Sequence, residues 1–116
     1  MLDASDIRKQ FKEHVKDVLH RKNICILEYK LLTNEILSLK KRIKERGEKL
    51  FLKYLGDGGH VKSFRNYKEA DSTMKFLRKA LRESTNSRKE YHDALYSIKK
   101  MLKRDLDIHS RKYGRA

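Results

Sequence analysis

The chain has 116 residues, 30 of them Lys or Arg against 16 Asp or Glu, and a formal net charge of +14. With hydrophobic residues at 38% and charged residues at 40%, one domain with a lean core is expected, and a charge surplus of this size opposes compaction until an anionic partner neutralises it. The longest apolar run, Ile24 to Leu27, falls far short of the roughly 20 residues a transmembrane helix needs, so no transmembrane segment is expected.

Asp3, Asp6, Glu13 and Asp17 leave the first twenty residues without the apolar stretch of a secretory signal. The single cysteine, Cys25, permits no internal disulfide and sits between apolar neighbours, which suits a small buried hydrophobe in a reducing, intracellular compartment.

The first predicted element is a long helical arm over about residues 4–55. Phe11, Val15, Val18, Lys22, Cys25, Tyr29, Leu32, Ile36, Leu39, Ile43, Arg46 and Leu50 recur at alternating steps of four and three, the spacing of a coiled-coil seam. Asp3 or Ser5 can cap its start, and Asp6 puts negative charge in the first turn, where the helix dipole favours it. Lys22 interrupts the seam within the polar run His20 to Asn23, which predicts a bend or short break. Ile24, Leu27, Leu31 and Leu37 fall off the seam and form a second apolar surface for a partner.

Gly56-Asp57-Gly58-Gly59 predicts a turn over 56–60, because glycine tolerates positive φ and can close the preceding helix. A phosphate-cradling loop is excluded here: no strand precedes these glycines and no Gly-Lys-Ser/Thr follows them. A second arm over about 61–110 carries Tyr67, Ala70, Met74, Leu77, Leu81, Ser84, Arg88, Tyr91, Leu95, Ile98 and Leu102 at the same spacing, followed by a short basic tail, 111–116. Ser84 to Ser87 is a weak helix stretch, and Ser87 with Glu90 spells a capping box, so a bend or a new helix is predicted near residue 85.

The fold class is therefore all-α, a coiled-coil-like antiparallel hairpin in one domain of residues 1–116, or a compact three- or four-helix bundle bent near 22 and 85. Folding the chain about 57–59 sets Ser84 to Arg88 opposite Tyr29 to Thr33 and brings Arg46 near Asp71 and Met74, where an ion pair would accommodate the seam arginine. Val18, Tyr29, Leu32, Ile36, Leu39, Ile43, Met74, Leu77, Leu81, Leu95, Ile98 and Leu102 should be the least exposed residues.

No enzymatic activity, cofactor or metal is expected. His14, His20, His60, His92 and His109 are scattered without cysteines or paired carboxylates at ligand spacing, and read as surface residues. No nucleophile motif is present. The cations carry the functional content. Lys40, Lys41, Arg42, Lys44, Arg78, Lys79, Lys99, Lys100, Lys103 and Arg104, with the terminal Arg111, Lys112 and Arg115, suit contacts to backbone phosphates without base readout. Tyr54, His60, Phe64 and Tyr67 gather near the turn, where they close the hairpin tip or stack on unpaired bases.

Three functions follow from this pattern. One is a non-enzymatic module that binds nucleic acid or a ribonucleoprotein assembly. Another is a structural or adaptor subunit whose face of Ile24, Leu27, Leu31 and Leu37 packs on other chains, or on further copies of itself, while its cations meet an acidic protein surface. The third is a small inhibitor or regulator docking on a nucleic-acid-handling protein.

Overall fold

The structure, a computed structural model, describes residues 3–113. The protein is all-α, an antiparallel helical hairpin, and no strand occurs among the described residues. Helix α1 spans Ala4–Gly56, a 3₁₀ turn follows at Val61–Ser63, α2 spans Phe64–Ala70 and α3 spans Ser72–Tyr113. The chain divides into two compact units. One joins α1 up to Lys30 with α3 from Lys89 onward, and the other is Leu31–Arg88.

Asp3 starts α1. Its carboxylate accepts a hydrogen bond from the Asp6 N–H at 2.9 Å and its carbonyl accepts the first helical bond, from Ile7 N–H, so Asp3 is the cap and Asp6 the first-turn acid. The helix ends in a Schellman turn. Gly59 N–H bonds the Tyr54 carbonyl at 2.8 Å and Gly58 N–H bonds the Leu55 carbonyl at 3.1 Å, with Gly58 at φ +84°. Gly58 supplies the left-handed backbone, whereas Gly59 supplies room: a Cβ there would run into the Tyr54 ring.

The second arm starts differently from the expected continuous helix. After α2, the backbone at Asp71 is extended (φ −65°, ψ 127°), and α3 begins beyond it. Asp71 is the cap of α3: its Oδ2 accepts the Met74 N–H at 2.9 Å, and its carbonyl accepts the Lys75 N–H at 3.0 Å. The expected helix start at Ser87 does not occur.

Neither expected break is present. α1 runs unbroken through Lys22 and α3 unbroken through Ser84 to Arg88, so neither helix is interrupted at these sites. At the first site the Arg21–Asp17 pair, 3.0 Å apart and four residues apart in sequence, ties adjacent turns together. Lys22 itself is half-buried, a position a lysine tolerates by lying along apolar surface with its ammonium in water. At the second site Ser84 is small enough to be buried on the seam, the Thr85 hydroxyl donates to the Leu81 carbonyl at 2.7 Å, and Arg88 Nη1 donates to Thr33 Oγ1 at 3.4 Å. Among the described residues no buried side-chain polar atom lacks a partner, so the cost that predicted breaks there is not incurred.

In the unit Leu31–Arg88 the core is Ile36, Leu39, Leu50, Met74 and Leu77, and in the other unit Val18 is buried. Five of these six were expected. Leu50 was placed on the seam but not among the best-covered residues, while Tyr29, Leu32, Ile43, Leu81, Leu95, Ile98 and Leu102 are half-buried. Two helices side by side cover each other only along one stripe, so most seam residues keep an edge in water.

In the first unit the seam is finished with rings and ions. Phe11 stacks on His109 with ring centroids 3.7 Å apart, His14 Nε2 meets Asp105 Oδ2 at 3.0 Å, and Tyr29 lies against His92 at 6.3 Å between centroids. Three of the five histidines therefore make contacts across the helix pair; His14 and His92 stay exposed, as read from the sequence, and His109 is half-buried. His20 and His60 are exposed.

Gly47 sits inside α1, where a Cβ would meet Met74 Cε at 3.8 Å and Lys68 Cδ at 3.9 Å, ordinary van der Waals contacts. Glycine costs about 1 kcal/mol relative to alanine in a helix interior. Gly47→Ala is therefore expected to raise the midpoint of urea unfolding, by an amount equivalent to roughly 0.5–1 kcal/mol. A lowered midpoint would show that the site has no room for a methyl group.

Candidate nucleic-acid interface

The seam determines where the cations go. Residues that fill the contact stripe are at steps of three and four, and the positions between them point away from the partner helix. On α1, Lys40, Lys41, Arg42 and Lys44 fall between the seam residues Leu39, Ile43 and Arg46, and on α3, Arg78 and Lys79 fall between Leu77 and Leu81. All six are exposed and belong to the unit Leu31–Arg88. That unit holds 15 Lys and Arg against 7 Asp and Glu, a surplus of eight. Lys99, Lys100, Lys103 and Arg104, all exposed on α3 in the other unit, fall between Ile98, Leu102 and Asp105 in the same way.

Three of the acids are paired with cations outside the candidate set. Arg46 donates from Nη2 to Asp71 Oδ1 at 2.9 Å and from Nε to Asp71 Oδ2 at 3.1 Å, the pairing expected for a seam arginine. Glu69 takes Arg65 at 3.1 Å and Asp17 takes Arg21 at 3.0 Å. Of the ten candidate cations, only Arg104 has a carboxylate within ion-pair range among the described residues, Asp105 at 3.9 Å.

The bidentate Arg46 contact first, and then the Met74 N–H, hold the Asp71 carboxyl below its ordinary value. A carboxyl whose folded value lies below its unfolded value of about 4 contributes its full stabilisation above that unfolded value. The contribution is lost as pH falls through the folded value. Asp71→Asn is expected to lower stability at pH 7 and to flatten its decline on acidification, read from urea melts at a series of pH values. An acid limb as steep as that of the parent chain would show that Asp71 does not carry this linkage.

Two surfaces collect some of the candidates. In the unit Leu31–Arg88, Lys44 and Arg78 line a groove of about 310 Å³ together with Lys68, and its floor contains Ile43, Phe51, Phe64 and Met74. In the other unit, Lys100, Lys103 and Arg104 border a surface depression of about 730 Å³ along α3, with Met101, Ile108 and Arg111. Lys40, Lys41, Arg42, Lys79 and Lys99 line neither. Arg111 and Lys112 are exposed at the end of α3, and Arg115 lies outside the described residues.

Sequence reasoning missed Lys68 and Phe51. Lys68 Nζ sits 5.7 Å from the Phe64 ring centroid, one helical turn away on α2, and Phe51 meets Phe64 edge-on at 5.0 Å. The signal that α2 ends and α3 begins was Asp71 followed by Ser72, a cap placed ahead of a new helix. Tyr54 and Tyr67 stack at 4.7 Å, with Phe64 against both, and so close the hairpin tip as one of the two readings had it. His60 makes no ring contact in this cluster.

The alternative surface is exposed too: Ile24, Leu27, Leu31 and Leu37 are each about half exposed or more. Ile24 and Leu27 lie one turn apart on one face. Leu37, six residues after Leu31 and so roughly 600° further round, lies on a different face, and the four do not make one continuous stripe. No group of three His, Cys, Asp or Glu side chains able to hold a metal occurs among the described residues, and no helix is long and apolar enough to cross a membrane. No family model, curated protein or solved structure matches the chain.

Proposed function

We propose that the chain is a non-enzymatic helical module that binds nucleic acid through Lys and Arg contacts to backbone phosphates. One observation carries this reading: ten clustered cations stand exposed on the hairpin, and nine of them have no carboxylate within 4.0 Å among the described residues. A solvated charge face normally balances its signs along the helix. Here the neutralising charge has to come from outside, and a polyphosphate backbone supplies it at regular spacing. The cations are set by helical position, without the bidentate side-chain arrangement that reads base edges, so binding should be indifferent to sequence and steeply dependent on salt.

Fluorescence anisotropy of the purified chain with labelled DNA and RNA, at rising salt, tests this. Binding that weakens along a steep log–log salt line is expected. Absence of binding at low salt, or binding that salt does not alter, would reject the reading.

The exposure of Ile24, Leu27, Leu31 and Leu37 supports a second reading, an adaptor subunit of a larger protein assembly. A pull-down from native extract separates the two: nuclease treatment releases the partners in the first case, and Leu27→Asp or Leu31→Asp releases them in the second.

A further inference from the structure

The groove of the unit Leu31–Arg88 has a composition unlike the rest of the cationic surface. Its floor is apolar and aromatic, from Phe51, Phe64 and Met74, and its border carries three cations, Lys44, Lys68 and Arg78, against one acid, Glu48. A duplex offers such a site only its sugar–phosphate edge, because the faces of its bases are covered by their neighbours. An unpaired base offers a flat ring face with a phosphate on either side, which matches an aromatic floor bordered by cations. An acidic peptide has the charge but no ring to place on the floor.

We propose that this groove takes one unpaired base of a single-stranded nucleic acid, with the flanking phosphates held by Lys44, Lys68 and Arg78. The inference rests on the nucleic-acid reading above and deepens it, from phosphate neutralisation anywhere on the surface to a preference for single strands at a defined place. Phe51 is the stacking platform. Among the four rings gathered near the tip it is the most exposed, at 36%, since Tyr54 and Tyr67 are stacked on each other and Phe64 is half-buried between Phe51 and Lys68. At about 310 Å³ the groove is at the lower end of small-ligand sites, the size for one ring and not for a helix of nucleic acid.

The experiment uses the full chain and four fluorescein-labelled probes: a mixed-sequence DNA strand, the same strand annealed to its complement, the strand with abasic positions, and a poly-Glu peptide. The parent chain is expected to bind the strand more tightly than the duplex. Phe51→Leu, which keeps the floor apolar, should weaken strand binding about tenfold and leave duplex and abasic strand within about twofold. Arg78→Gln, an exposed change that spares the floor, should weaken the intact and the abasic strand alike. Circular dichroism melts matching the parent show that both variants are folded.

If Phe51→Leu weakens strand and duplex equally, or neither, the groove is not the base site, although the nucleic-acid reading stands. No binding of the parent chain to strand or duplex overturns both. Binding of poly-Glu as tight as the strand, and equally dependent on Phe51, overturns the inference in favour of an acidic protein segment.

Discussion

With Lys40, Lys41 and Lys44 all changed to Glu, the affinity for nucleic acid is expected to fall by at least tenfold near physiological salt, for duplexes and single strands alike. Each phosphate contact contributes about 0.9 to the log–log salt slope on duplex DNA, so three lost contacts should make the line shallower by roughly 3. The effect is larger than loss of attraction alone, since each reversal also places a negative charge opposite a phosphate. Stability should hardly change. All three side chains are exposed and none has a carboxylate partner among the described residues, and exposed charges contribute little to folding individually. An unchanged salt slope with retained affinity would show that binding runs through other cations, and retained partner capture after nuclease treatment would favour the adaptor subunit.

Ile36→Ala is expected to have the largest effect on stability. Ile36 is 2% exposed, on the seam of α1 in the unit that holds most of the buried residues. Truncating a buried Ile or Leu to Ala costs about 2–5 kcal/mol, from lost transfer energy and the cavity left behind. Against a typical total of about 5–15 kcal/mol this is a large fraction, and at about 4 °C per kcal/mol it corresponds to a fall in Tm of roughly 8–20 °C. Leu37→Ala, one residue along and 60% exposed, is the control and should shift Tm by no more than a few degrees. Equal shifts in the two variants would mean that the seam is not the stabilising surface in solution.

The seam and the register were legible because both follow from spacing. Steps of three and four fixed which residues of α1 and α3 face inward, and a turn at 57–59 then fixed which residues meet. The Arg46–Asp71 pair and the Thr33–Arg88 contact both follow from that register. What the spacing could not show was how much polarity the seam tolerates. Lys22 and the run from Ser84 to Arg88 suggested breaks by residue type, but a long aliphatic stem, a small hydroxyl and a bond back to the preceding turn satisfy those positions locally. The restart at Asp71 was hidden for the opposite reason. No glycine or proline marks it, only an aspartate whose carboxylate both caps α3 and receives Arg46. The groove was illegible in principle: Phe51, Phe64 and Arg78 come from three different helices, and no periodicity links them.

The register also imposes an order on assembly. Arg46 and Asp71 are separated by 25 residues, Thr33 and Arg88 by 55, and His14 and Asp105 by 91. Closing the longest of these loops from the open chain costs about 1 kcal/mol more in chain entropy than closing the shortest. Once the Arg46–Asp71 contact is made, each further pair needs only a short extension of a loop already closed. A hairpin of this kind is expected to close from its tip, so substitutions near the tip should mainly change the folding rate and those around Phe11 and His109 mainly the unfolding rate, as stopped-flow kinetics would show.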